Sequence, residues 1–235
     1  MAQTHFTLYS NVLAPNGWKV VFVLNELGLS YDTVYINFRV GEHKSPQFLK
    51  VNPNGRIPAL IDHSNNDYVV WESAAIMMYL VENYDLEKRL TVTNDADRCL
   101  LYQWLFFQVS GHGAFFGQSF WTLWTEAERG DTPSVQKCYR AESKRVLGVL
   151  EAALSTQEWL VGGKLTIADM SFVPWNVGHM SLLGDDFNFE AEFPVTYKWH
   201  SKLIALPSVK AGIEERTRLL STSPYNTADP TPFHP

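Results

Sequence analysis

Residues 52–80 read NPNGRIPALIDHSNNDYVVWESAAIMMYL. Two short apolar runs, Arg56–Asp62 and Tyr68–Trp71, flank the turn cluster Asn65-Asn66-Asp67, so they are expected to be strands of a hairpin. From Ser73 to Tyr84 the period changes: Ile76, Tyr79 and Leu80 fall on one helical face. This stretch is therefore ββα. Upstream the order is βαβ. Phe6–Ser10 is a short strand. Trp18–Gly28 carries apolar residues at 20, 21, 24 and 27 and stops at its glycine. Tyr31–Phe38 is rich in Tyr, Val and Ile. A loop with Gly41, Pro46, Pro53 and Gly55, holding one turn of helix at Pro46–Val51, joins the halves.

A βαβ unit needs a crossover helix between parallel strands, whereas the following hairpin is antiparallel; the combination is the thioredoxin-like arrangement. After about residue 85 strand signals stop. A long helical pattern covers Asp95–Glu128, interrupted near Gly111, Gly113 and Gly117. Thr132-Pro133 opens a helix running to Leu154, and Thr166–Met180, Val195–Ala205 and Pro207–Leu220 follow. The expected class is thus α/β followed by all-α: a thioredoxin-like domain over 1–84, a linker over 85–96, an all-helical domain over 97–222 and an extended tail over 223–235.

Composition narrows the function. Of 235 residues 46% are hydrophobic and 19% charged, enough to bury a core. The net charge of −6, without a basic stripe, speaks against nucleic-acid binding. No apolar run approaches the roughly 18 residues of a membrane span, and no secretory signal opens the chain. Cys99 and Cys138 lie far apart with no CxxC partner, so neither a disulfide framework, a zinc site nor a redox dithiol is expected, and the cytosol is the expected compartment.

Two motifs carry chemistry. A proline at Pro58, opening the hairpin's first strand in this fold, is expected to follow a cis bond that turns the N–H and C=O of Ile57 outward, where a peptide ligand can pair as a strand would. In isolation the tripeptide would be an ordinary trans proline at a strand start. At Glu72-Ser73 strand meets helix. The first helical amides attract an anion, Ser73 adds a hydroxyl and Glu72 accepts from an ammonium. A carboxylate and an ammonium on one carbon describe the γ-glutamyl end of glutathione; alone, Ser73 would be a helix cap. Farther on, Thr166 with Asp169 three residues later reads as a capping pair and is structural.

Taken together, NPNGRIPAL, a strand and then ESAAI resemble the glutathione site of glutathione transferases. Ala14-Pro15-Asn16-Gly17, Gly41-Glu42-His43-Lys44 and Ile61-Asp62-His63 resemble the fungal nitrogen-regulator class, and also the bacterial nu-class enzymes. The resemblance spans nearly the whole chain, densest up to Tyr84. It implies that glutathione is held by Glu72, Ser73, the Ile57–Pro58 backbone, His43 and Arg56, with no metal. Serine-type relatives place a hydroxyl two residues before Asn16, where this chain has Ala14. The role of holding the thiolate therefore passes to Asn16, just before the first helix. Ser10 and Tyr9 stay open as competitors, and Asn16-Gly17 as a mere turn and cap. The resemblance implies a homodimer. The helix from Asp95 has apolar residues on more than one face (Leu100, Trp104 and Phe107, but also Leu101 and Leu105) to serve it. The rings of Phe115, Phe116, Trp121 and Trp124 exceed what one helix face needs and are expected to line a pocket for a hydrophobic electrophile. The rival readings are a glutathione-dependent peroxidase or disulfide reductase, and a non-catalytic regulatory or ligand-carrying protein.

Overall fold

A computed structural model describes residues 5–129 and 133–222, excepting the side chains at 123–129, 133 and 179. Strand β1 (Phe6–Ser10) occupies the interior of a four-stranded sheet and alternates buried with half-buried residues; Phe6 and Leu8 are wholly enclosed. Helix α1 (Pro15–Leu27) starts at Pro15, whose missing N–H is no loss at the first helical position, and stops at Gly28. It thus begins earlier than the apolar period marks, and Asn16 lies inside its first turn rather than before it. Strand β2 (Tyr31–Tyr35) runs parallel to β1, and helix α2 (Pro46–Val51) is capped by Ser45, whose Oγ accepts from the Phe48 N–H at 3.2 Å.

Strands β3 (Ala59–Asp62) and β4 (Tyr68–Trp71) add an antiparallel hairpin, giving the order β2-β1-β3-β4, and helix α3 (Ser73–Asn83) follows. This is the thioredoxin-like βαβ–ββα arrangement. β2 and β3 are shorter than the runs Tyr31–Phe38 and Arg56–Asp62, because β1 gives them no more partner. Its last residue, Ser10, pairs with Tyr35, and Tyr9 pairs with Ala59. Pro58 itself has no N–H to offer a ladder.

The remaining elements are helices. Asn94 caps α4 (Asp95–Phe107) by accepting from the Asp97 N–H at 2.8 Å. One wide π turn (Gln108–His112) leads into α5 (Gly113–Arg129). Then come α6 (Pro133–Leu154), α7 (Ile167–His179), α8 (Phe189–Glu192), α9 (Pro194–Ile204) and α10 (Pro207–Thr222). The interruption contains Gly111 and ends beside Gly113, two of the glycines that signalled it. The π turn tucks two polar side chains, Gln108 and His112, into the core, where His112 Nε2 lies 3.0 Å from Asn176 Oδ1.

The chain divides into two compact units. One comprises the described residues up to Leu86 together with α10; the other is Glu87–Ala205. This division differs from the expected helical domain over 97–222 in placing α10 with the first unit. That helix packs on α1: Asn25 Nδ2 donates to the Ser208 carbonyl at 3.1 Å, and a Cβ on Gly212 would fall 2.6 Å from Phe22 Cε1. Its period looked like that of any other helix, and only the surface it meets assigns it.

Candidate functional site

The register brings the sequence motifs to one end of the sheet. Tyr9 pairs with Ala59, and Ala59 with Trp71. The loop after β1, Ile57-Pro58 before β3 and Glu72-Ser73 after β4 therefore meet at a common edge. β2 is parallel to β1, so the chain leading to His43 leaves at the same end.

Buried Asn11 builds the loop after β1. Its Oδ1 accepts from the Leu13 N–H at 2.9 Å, its carbonyl accepts from the Ala14 N–H at 3.2 Å, and its Nδ2 donates to the Ile36 carbonyl at 2.9 Å. Trp18 Nε1 donates to the Val12 carbonyl at 2.9 Å, and Arg216 of α10 donates to the carbonyls of Val12 and Leu13, both at 3.3 Å. Held this way, the loop delivers Asn16, half-buried, as the second residue of α1. Ala14 precedes the helix and no side chain caps it, so Asn16 does not serve as the N-cap. Its two competitors are Ser10 and Tyr9. Ser10 is 2% exposed, and a Cβ on Gly17 would stand 1.9 Å from its Oγ, so only glycine lets the helix cross there. Tyr9 is half-buried with its ring against Phe48, 5.7 Å between centroids.

Glu72 precedes α3 with φ 75° and ψ 121°, outside the regions a side chain prefers. Such strain concentrates at binding sites. Its carboxylate is exposed and does not cap the helix. Ser73 is the first helical residue, 2% exposed, and caps nothing. Its Oγ accepts from Lys19 Nζ at 3.3 Å. Lys19 was missed in the sequence, although a lysine inside Trp18-Lys19-Val20-Val21-Phe22 was the available signal. It is 1% exposed. Burial pulls its pKa down to about 7, against the opposing pull of the Glu72 charge.

The Ile57–Pro58 bond is cis. Among the described residues neither the N–H nor the C=O of Ile57 has a hydrogen-bond partner. The turn before it rests on buried Asn52, whose Nδ2 donates to the Arg56 carbonyl at 2.6 Å while its Oδ1 accepts from the Asn54 N–H at 3.0 Å. The Arg56 side chain is exposed. His43 sits in a short turn (Glu42–Lys44), 5% exposed, edge-on to Phe38, with Nδ1 unpartnered among the described residues. Burial first, then Lys44 and Arg56, lower its pKa and favour the neutral ring, which offers one N–H.

The aromatic segment fares less evenly. Phe115 and Trp121 are half-buried. Phe116 is wholly enclosed against His112, 4.7 Å between centroids, because it falls on the core side of α5; it is withdrawn from the pocket wall. The Trp124 side chain lies outside the described residues. Cys99 and Cys138 are both exposed, free and in the helical unit. Among the described residues no three His, Cys, Asp or Glu gather as a metal site, and no helix is long and apolar enough to cross a membrane.

Residues 4–82 match the family model "Glutathione S-transferase, N-terminal domain" and residues 114–207 match "Glutathione S-transferase, C-terminal domain". Glutathione S-transferase 2 of Schizosaccharomyces pombe is 46% identical over 222 residues, covering 90% of this chain and 96% of that protein. The transcriptional regulator URE2 of Saccharomyces cerevisiae is 38% identical over 239 residues, covering 87% of this chain and 66% of that one. Ure2p5 from Phanerochaete chrysosporium, cocrystallized with 1-(S-glutathionyl)-2,4-dinitrobenzene, superposes with a TM-score of 0.88 at 45% identity, covering 95% of this chain and 99% of that one. With both family domains matched in order and the site motifs gathered at one sheet edge, the chain belongs to the glutathione S-transferase family.

Proposed function

We propose that the protein is a glutathione transferase that joins the thiolate of glutathione to a hydrophobic electrophile. The observation that carries this is the pairing of a strained, anion-accepting helix start at Glu72-Ser73 with the unpaired backbone of Ile57 at the same sheet edge. In this reading Glu72 takes the γ-glutamyl ammonium and Ser73 with the α3 amides takes its carboxylate. Ile57 pairs with the peptide, and His43 and Arg56 receive the glycine carboxylate. The named relatives support it: one is called a glutathione S-transferase, and one structure holds a glutathione conjugate of dinitrobenzene.

A free thiol has a pKa of about 8.5, so only about 3% is thiolate at pH 7. Lowering it by two units takes roughly 2.7 kcal/mol of selective stabilisation, which an amide N–H and the α1 N-terminus can supply. Asn16 is the donor we assign. Asn16→Ala should raise the pKa of bound glutathione by about one to two units and cut the neutral-pH rate about ten- to a hundredfold, with affinity kept. Glu72→Ala and Ser73→Ala should instead cost affinity. Ultraviolet titration of bound thiolate and calorimetry check these. Coincident thiolate curves would remove Asn16, and unchanged affinity in both other variants would remove the site.

Phe115 and Trp121 remain the assigned pocket residues. In this reading the thiol chemistry belongs to the ligand. A panel of a chloronitroarene, an organic hydroperoxide and a disulfide separates transfer from peroxidase and reductase activity. We assign a homodimer in the cytosol. Exposed apolar rings support the dimer: Phe106 on α4 is 62% exposed, and Tyr68 and Trp71 on edge strand β4 are 53% and 40% exposed. Sedimentation at micromolar concentration should give twice the chain mass of 26.8 kDa.

A further inference from the structure

Lys19 is a charged residue in the wrong place for stability. It sits in α1 among wholly enclosed neighbours, Trp18, Val20 and Val21, and its Nζ reaches Ser73 Oγ. An ammonium has only donors to offer, so at this contact Ser73 must accept. A hydroxyl that accepts from a cation still has its own proton, now more polarised, to give elsewhere. The α3 amides that attract an anion begin at the same residue.

We infer that Lys19 is the positioning residue of the γ-glutamyl subsite: its ammonium fixes Ser73 as an outward donor and sets a buried positive charge beneath the ligand's α-carboxylate. This rests on the glutathione reading above and adds to it a residue that need not touch the ligand. Specificity follows. Glu72 is exposed, so its charge on the ligand's ammonium is screened by water; the Lys19 charge acts where water is excluded and is screened far less. The subsite therefore discriminates mainly on the carboxylate.

Binding should also take up protons. α1 packs against β1, α3 and α10. From α3 the charge facing Lys19 is Glu72. β1 presents the neutral Ser10 to the start of α1. On α10, Arg216 is turned to the Val12 and Leu13 carbonyls, and Glu215 to Arg218, Tyr31 and Tyr35. A ligand carboxylate arriving at Ser73 adds a second negative charge beside Lys19 and draws a proton onto it. Affinity should fall as pH rises above 7, on the side opposite to that expected from ionising a thiol.

The test uses S-methylglutathione, whose thiol cannot ionise, and the same peptide with 4-aminobutyrate in place of γ-glutamate, which lacks only the α-carboxylate. Calorimetry on wild type and Lys19→Met closes a cycle. Lys19→Met should weaken S-methylglutathione about ten- to a hundredfold and leave the decarboxylated peptide nearly unchanged. Equal losses for both ligands would make Lys19 a packing residue and overturn the inference, as would no loss for either. Should the variant not fold, wild type alone decides. In buffers of different ionisation enthalpy, S-methylglutathione should bind with proton uptake between pH 7 and 8, and the decarboxylated peptide without it. Uptake that persists with the decarboxylated peptide belongs to another group, such as His43, and overturns the inference. A wild-type protein that binds neither peptide removes the glutathione reading itself. One that binds S-methylglutathione with no coupling to Lys19 and no proton uptake removes only Lys19.

Discussion

At Lys19 function and stability pull in opposite directions. Its folded pKa, about 7, lies below the ordinary 10.5, so the unfolded chain binds more protons wherever pH lies between the two. Stability from this residue accordingly rises as pH climbs from about 7 toward 10.5, and the full penalty is present below 7. Lys19→Met should stabilise the protein at pH 7 by about 1–4 kcal/mol, and the gain should shrink by pH 9.5. Urea unfolding at the two pH values checks this; a variant less stable than wild type at pH 7 would show that the buried ammonium is fully compensated. The residue also marks where sequence reasoning ran out. The cis bond at Ile57–Pro58 was legible from its place at the start of the hairpin, whereas Glu72 and Ser73 alone read as a helix cap and were singled out by the family resemblance. Lys19 stood in an apolar helical run whose partner lies 54 residues away, so nothing local paired it with Ser73. The close crossing of Gly17 over Ser10 was equally hidden, because it joins a strand end to a helix start.

Among the elements, α7 shows how much one carboxylate can organise. Asp169 is wholly enclosed. Its Oδ2 accepts from the Thr166 N–H and Oγ1, both at 2.9 Å, and its Oδ1 accepts from the Leu160 N–H and Trp199 Nε1, both at 3.0 Å. The Thr166 half is the capping pair visible in the sequence. The other half ties the turn before α7 to α9 and was invisible, because no short-range pattern links Trp199 to a helix start thirty residues earlier. Burial raises the Asp169 pKa, and these donors pull it back. Asp169→Ala leaves their N–H groups buried without an acceptor and should cost about 3–5 kcal/mol, read as a lower urea midpoint. A change under 1 kcal/mol would mean that water replaces the carboxylate. Helix types and most boundaries were legible from period and caps. An interruption near Gly111 and Gly113 was legible, but its form, a π turn that buries Gln108 and His112, was not.

For the molecule as a whole, the boundary that matters is the return of α10 to the first unit. Phe22 of α1 lies so close to Gly212 that a methyl there would sit 2.6 and 2.8 Å from two ring carbons. Gly212→Ala should therefore loosen α10 from α1 and cost about 1–3 kcal/mol. By hydrogen exchange, the amides of α10 in the parent protein should open together with those of α1 and β1. In the variant α10 should exchange earlier than they do, and the loop carrying Asn16 should follow, since Arg216 holds its carbonyls. Exchange of α10 in step with α6 and α7 instead would place it with the other unit.

Both ends of the described chain thus close one unit, and a ribosome makes one end long before the other. While Glu87–Ala205 is being added, at about 5–20 residues per second, the nascent chain spends roughly 6–24 s with the α1 surface around Val21 and Phe22 uncovered. The unit begun before Glu87–Ala205 is in this sense finished after it, and the loop that Arg216 braces is completed only when α10 emerges.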